Sequence, residues 1–171
     1  DHMALDGLQN AADRKAMGEF AELCAGKYTF TREDQDAFSS ESVRRALAAQ
    51  ANGDFAAEIA SVTVAGRKGD VVVGADEEPP ACDISKIASL RPAFKKDGTV
   101  TAASSSKISD GAAALVLTSE AGATARGLKP LARVVAHATH SQEPEWFTTA
   151  PVGAIQKVLA KAGWSKDEVD L

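Results

Sequence analysis

Little in this sequence is suited to cross-linking, to spanning a bilayer or to gripping a polyanion. Only two cysteines occur, Cys24 and Cys82, far apart and without the close spacing of a redox or zinc motif. A disulfide-dependent, exported fold is therefore not indicated. No apolar run approaches the roughly 20 residues that a helix needs to cross a bilayer, and no membrane partner is expected. The opening DHMALDGLQN lacks a basic stretch followed by an apolar one, so a cytoplasmic chain without a secretory leader is the expectation. Positive charge is also short: 19 Lys and Arg stand against 24 Asp and Glu, a formal net charge of −5. The basic residues are scattered in ones and twos, as in Arg44-Arg45 and Lys95-Lys96, which argues against a nucleic-acid partner.

What is present fits an ordinary folded chain: 44% hydrophobic and 25% charged residues, enough for one moderate domain or parts of two. Met17, Phe20, Ala21, Cys24 and Tyr28 recur at helical spacing and form one apolar stripe. Cys24 lies on it, with no basic partner evident to stabilise a thiolate, and reads as a small core side chain. Thr31 followed by acidic residues marks a second helix start. That helix is expected to present Phe38, Ser42, Ala46 and Ala49 on one face, flanked by Val43 and Leu47, and to stop at Asn52-Gly53.

The period then changes. Residues 59–64 and 71–73 read as short strands joined by the turn Gly66-Arg67-Lys68-Gly69. Asp76 to Pro80 reads as a stiff polar connector, and Asp83 as the cap of a short helix that Pro92 helps to end. Further on, the wholly apolar run 112–117 is expected to be a strand buried on both faces. Ser119 caps a helix closed by Gly127, Leu131 to His140 reads as another strand, and Val152 to Ala162 as a helix closed by Gly163. Strand and helix in alternation imply an α/β layered fold. His137 and His140, an odd number of positions apart on the second of these strands, fall on opposite faces, so no metal site is expected there.

Five segments, in order, resemble one family. They are MGEFAE from Met17, FTREDQDAF from Phe30, LRPAFKKDGTVTAASSSKISDGAAALVLTSE from Leu90, GLKPLARV from Gly127, and PVGAIQKVLAKAGWSKDEVDL at the end. Together they resemble the thiolases, acyltransferases that make or break a carbon–carbon bond between acyl-CoA units through a cysteine acyl-enzyme. The resemblance implies an α/β, αβαβα layered subunit. Within it, residues 1–108 would form a covering or loop domain over the CoA site, 109–129 the end of the N-terminal half and 130–171 the start of the C-terminal half. It also implies that the nucleophilic cysteine lies upstream, and the asparagine motif, histidine and second cysteine downstream. No catalytic residue is then expected in this segment.

By the same resemblance Met17 and Phe94 would line the wall beside the pantetheine of CoA, and Ser106 would hydrogen-bond it. Ala102, Ala103 and Ile108 would form the adjoining surface. A long thin ligand asks for such a channel: apolar walls, small residues for close approach and a few polar anchors. Coenzyme A or acyl-CoA would be the substrate, with no covalently bound cofactor and no metal, and the full-length subunit would form a homodimer or homotetramer.

Two positions depart from the family pattern. Pro79-Pro80 stand where an arginine is usual near the adenine end, and Lys107 stands where glycine or serine is usual. Lys86 or Lys107 is the expected substitute charge.

Two other readings compete. A non-catalytic thiolase-like protein that binds acyl-CoA or a lipid carrier would share this segment. Ser104-Ser105-Ser106-Lys107 also contains Ser-x-x-Lys, the spacing of some serine acyl-enzymes, but Gly111 breaks the Ser-Asp-Asn that should follow and no Lys-Thr-Gly occurs.

Overall fold

A computed structural model describes residues 2–171. The chain divides into two compact units, one comprising Arg14–Ser106 and the other the stretch up to Asp13 together with Lys107–Leu171.

The first unit is built on two helices. α1, Met17–Tyr28, opens with the Ala16 amide donating to Glu19 Oε1 at 3.0 Å and closes on left-handed Thr29. α2, Arg32–Asn52, starts at Thr31, whose hydroxyl accepts the Asp34 amide at 3.0 Å while Asp34 Oδ2 accepts the Thr31 amide at 3.3 Å. Gly53, at φ 73°, provides the left-handed stop that glycine adopts without steric penalty.

The covered side of α2 differs from the expected one. Ala46, Ala49, Val43 and Leu47 are half-buried as expected, but Phe38 is 79% exposed and Ser42 is also exposed, whereas Ser39 is buried and Arg32, Gln35, Asp36 and Ser40 are half-buried. Only the N-terminal half of the face departs, where the hydrogen bonds of Arg32 and Gln35 to other segments seat the helix. On α1, Phe20 and Ala25 are buried, Met17, Ala21 and Cys24 are half-buried, and Tyr28 is exposed and stacked on Phe30 at a centroid distance of 5.9 Å.

Beyond α2 the chain forms an antiparallel hairpin. β1, Val62–Val64, pairs with β2, Val71–Val73, in the register Val62 with Val73 and Val64 with Val71. Gly66 and Gly69 close the turn, with the Gly69 amide donating to the Gly66 carbonyl at 3.2 Å. The first strand is shorter than the sequence suggested, and all six strand residues are exposed. The expected connector is one helical turn, α3, Glu78–Ala81, since prolines in a first turn forfeit no intrahelical bond.

A 3-10 helix, Ile84–Ser89, follows, with Asp83 accepting the Ser85 amide at 3.1 Å. The Lys86 ammonium at 2.9 Å, helped by the Ser85 hydroxyl and amide, holds the exposed Asp83 carboxyl down at about 2. This cap therefore stays ionised at neutral and mildly acidic pH.

The second unit contains a π-helical turn, Ala4–Leu8, then α4, Glu120–Ala125, and α5, Ala150–Ala162. α4 is capped by Ser119, which accepts the Gly122 amide at 3.1 Å, and Gly127 and Gly163 take the left-handed positions expected of them. α5 begins two residues before the expected start, with Pro151 in its first turn. Short 3-10 helices, Pro144–Thr149 and Lys166–Glu168, flank it.

The two long strands expected here do not form. Residues 112–117 and 131–140 carry no ladder, with Val116 95% exposed and Leu131 fully exposed. A strand is a shared property: its N–H and C=O groups need a neighbour, and none of the described residues supplies one. Lysines of α5 partly substitute for it. Lys157 donates to the Thr139 carbonyl at 3.3 Å and Lys161 to the His137 carbonyl at 3.2 Å. The His140 ring lies so close over Gly153 that a Cβ there would meet it at 2.6 Å.

Candidate functional site

The residues singled out from the sequence fall into three places. Phe94 lies flat on Gly18, next to Met17 at the start of α1: a Cβ on Gly18 would sit 2.3 Å from the ring. Ala103 and Ser106 belong to the loop after Thr99, together with exposed Ala102. Ile108, 74% exposed, lies in the second unit.

Replacing Gly18 by alanine is expected to force the Phe94 ring off α1, at a cost of about 1 kcal/mol. Phe94 is 38% exposed, so it swings into solvent rather than straining the helix. Shifted Phe94 ring-proton resonances in the variant would report the movement; unchanged ones would mean that the contact is not formed in solution.

The loop itself is closed by its own small polar side chains. Thr101 is fully buried and donates its amide to Ser104 Oγ at 2.9 Å, its carbonyl accepts the Ser105 hydroxyl at 2.7 Å, and its Oγ1 accepts the Ala103 amide at 3.2 Å. Pro92 bridges to Thr101, and the Ala93 amide donates to the Val100 carbonyl at 2.9 Å, which ties the LRPAF strand of chain to the start of the loop.

These bonds consume the hydroxyls of Ser104 and Ser105 and leave that of Ser106 without a partner among the described residues. The stretch from Thr101 to Ser106 is not helical, so the one-turn spacing that Ser-x-x-Lys chemistry needs is absent.

Between this loop and α2 runs a groove of about 770 Å³ lined by Phe30, Gln35, Phe38, Ser39, Val43 and Ala103 to Ser106, among others. Met17, Phe94 and Ala102 do not line it. A second hollow of about 1010 Å³ lies among the C-terminal end of α2, Phe55, Ile59 and Pro79-Pro80.

Sequence reasoning missed the residues that hold the loop. Glu22 on α1 accepts the Thr99 amide on both oxygens at 2.9 Å, the Val100 amide on Oε1 at 2.8 Å and the Thr99 hydroxyl on Oε2 at 3.2 Å. Gln35 on α2 donates to Thr99 Oγ1 at 2.9 Å. Their only signal in the sequence was an acid and an amide set next to apolar positions of helical period.

No group of three or more His, Cys, Asp or Glu side chains is placed to hold a metal among the described residues. Nor is any helix among them long and apolar enough to cross a membrane.

The chain belongs to the thiolase family. The thiolase N-terminal domain matches residues 1–121 and the C-terminal domain residues 128–171. The whole chain is 48% identical over 172 residues to a probable acetyl-CoA acetyltransferase of Dictyostelium discoideum, covering 42% of that protein. It is 49% identical over 173 residues to the acetyl-CoA acetyltransferase of Chromobacterium violaceum, covering 44% of it. The Acat5 thiolase of Ascaris suum, solved in complex with coenzyme A, superposes with a TM-score of 0.90 at 39% identity, over 100% of this chain and 44% of that one. The architecture is thus a thiolase-like α/β fold covering part of a subunit, and the chain spans less than half the length of the relatives it matches.

Proposed function

We propose that this chain is the CoA-facing middle part of an acetyl-CoA acetyltransferase. The parent subunit would condense acyl-CoA units, or thiolytically cleave 3-ketoacyl-CoA, through a cysteine acyl-enzyme. The observation that carries the reading is identity of 45–49% to acetyl-CoA acetyltransferases along the entire chain.

In this reading residues 1–108 belong to the covering domain. The half-buried Met17 and the Phe94 ring form an apolar wall beside the pantetheine, with Ala102 and Ala103 adjoining. The uncommitted Ser106 hydroxyl anchors a pantetheine amide. The substrate is coenzyme A or an acyl-CoA, without a further cofactor, and the whole subunit works as a homodimer or homotetramer in the cytoplasm. Lys107 supplies positive charge to the phosphate end. Lys86, paired with Asp83 at 2.9 Å, is the alternative source of that charge.

The segment contributes no catalytic group. Cys24 sits within α1 and Cys82 follows α3, each half-buried, and neither has a hydrogen-bond or ion-pair partner among the described residues that would stabilise a thiolate.

The test is calorimetric titration of CoA into the 171-residue chain, paired with a thiolysis assay on acetoacetyl-CoA. Weak CoA binding, weakened further by Ser106→Ala, and no turnover are expected. Absence of CoA binding would overturn the binding role. Turnover by the isolated chain would overturn the claim that it lacks catalytic groups.

A further inference from the structure

We propose that Glu22 is the positioning residue of the Thr99–Ser106 loop, acting as a carboxylate and not as a packing side chain. The inference deepens the CoA reading above, on which its ligand arm rests.

The argument is one of proton placement. Gln35 Nε2 can only donate, so Thr99 Oγ1 is the acceptor of their 2.9 Å bond. The Thr99 O–H is then free to point to Glu22 Oε2, 3.2 Å away. Both backbone amides, of Thr99 and Val100, also point at this carboxylate. All three groups facing Glu22 are donors, and only an ionised carboxylate offers two oxygens with no hydrogen of its own. Gly98 completes the seat: a Cβ there would lie 2.2 Å from Glu22 Oε1, so the carboxylate's approach depends on glycine at this position.

The consequence is directional. The two amides that Glu22 holds immediately precede Thr101, whose fully buried side chain and backbone organise Ala103, Ser104 and Ser105. Ser106 follows at the end of the same closed turn. Glu22 thereby fixes, from α1, a serine that it does not touch.

Glu22→Gln keeps the size and shape but turns an N–H₂ toward donors. Measured on the whole chain, amide hydrogen exchange of Thr99 and Val100 should accelerate about tenfold. Their downfield amide proton resonances should move upfield, while amides of α1 and α2 keep wild-type protection. CoA affinity should fall with the loop, also about tenfold, whereas Ser106→Ala should weaken CoA binding without touching exchange at Thr99.

Unchanged exchange and chemical shifts at Thr99 and Val100 in Glu22→Gln would overturn the proposal. So would uniform deprotection of α1, α2 and the loop together, the signature of general destabilisation. A wild-type chain that binds no CoA would sink the functional reading instead, and the exchange and chemical-shift result alone would then decide the role of Glu22.

Discussion

Replacing Arg32 by alanine is expected to lower the unfolding free energy by about 2–4 kcal/mol, a large share of what a small unit possesses. Arg32 is the first residue of α2, and its guanidinium is shared between two elements. Nε donates to Asp36 Oδ2 at 2.8 Å, and the same side chain donates to the carbonyls of Ile87 at 3.1 Å and Leu90 at 2.8 Å. Ile87 lies within the 3-10 helix Ile84–Ser89, its carbonyl also accepting the Leu90 amide at 3.1 Å, and Leu90 follows directly after that helix.

The pair is mostly screened from water, with side-chain exposures of 21% for Arg32 and 13% for Asp36. Removal of Arg32 would leave Asp36 worse than unpaired, because its Oδ1 is already buried without a partner. Arg32→Lys should recover less than half of the loss, since an ammonium cannot reach Asp36 and two carbonyls in a planar fork. Urea denaturation followed by circular dichroism would measure both variants. A loss under about 1 kcal/mol, the level of an exposed ion pair, would mean that the bridge does not hold α2 to the 3-10 helix.

Phe20→Ala is expected to cost about 3 kcal/mol or more, the range for deleting a buried aromatic side chain. Phe20 is 2% exposed and is the largest of the few fully buried side chains. The apolar core of its unit is small: with Phe20 it comprises Ala25, Ile87 and Val100. Few other apolar groups are therefore available to fill the space. Phe38→Ala is the matched control, because a ring 79% exposed returns almost nothing on folding, about 0.5 kcal/mol or less. Similar midpoints for the two variants in the same urea experiment would mean that the core does not sit around Phe20.

Much of the local structure was legible in the sequence because its determinants are local. Thr31, Asp83 and Ser119 stand at the starts of their helical segments and accept the amides that a cap accepts. Gly53, Gly127 and Gly163 occupy left-handed positions, and Gly66 and Gly69 close the hairpin. A cap or a turn is decided within a few residues, so composition and spacing reveal it. The family was legible for a different reason: five ordered segments match because each meets constraints of one shared fold.

The helix faces were less legible. Hydrophobic period placed Phe38 and Ser42 on the covered side of α2. Ala46 and Ala49 are half-buried as that period requires, but in the N-terminal half the bonds of Arg32 and Gln35 turn Ser39 inward instead, and a pattern scored on apolarity does not register a half-buried guanidinium or amide.

By itself the sequence determined the caps, the turns, the family and the loop that carries Ser106. Only the tertiary structure decided what holds that loop. Glu22 and Thr99 are far apart in the chain, and nothing local marks an acid on α1 as the acceptor for amides of a distant turn. The same reasoning covers the strands at 112–117 and 131–140. Their apolar sequence is that of buried strands, but a ladder forms only where a second backbone lies alongside. Hydrogen bonding across distance belongs to the folded arrangement, whereas capping, turning and apolar period belong to the chain.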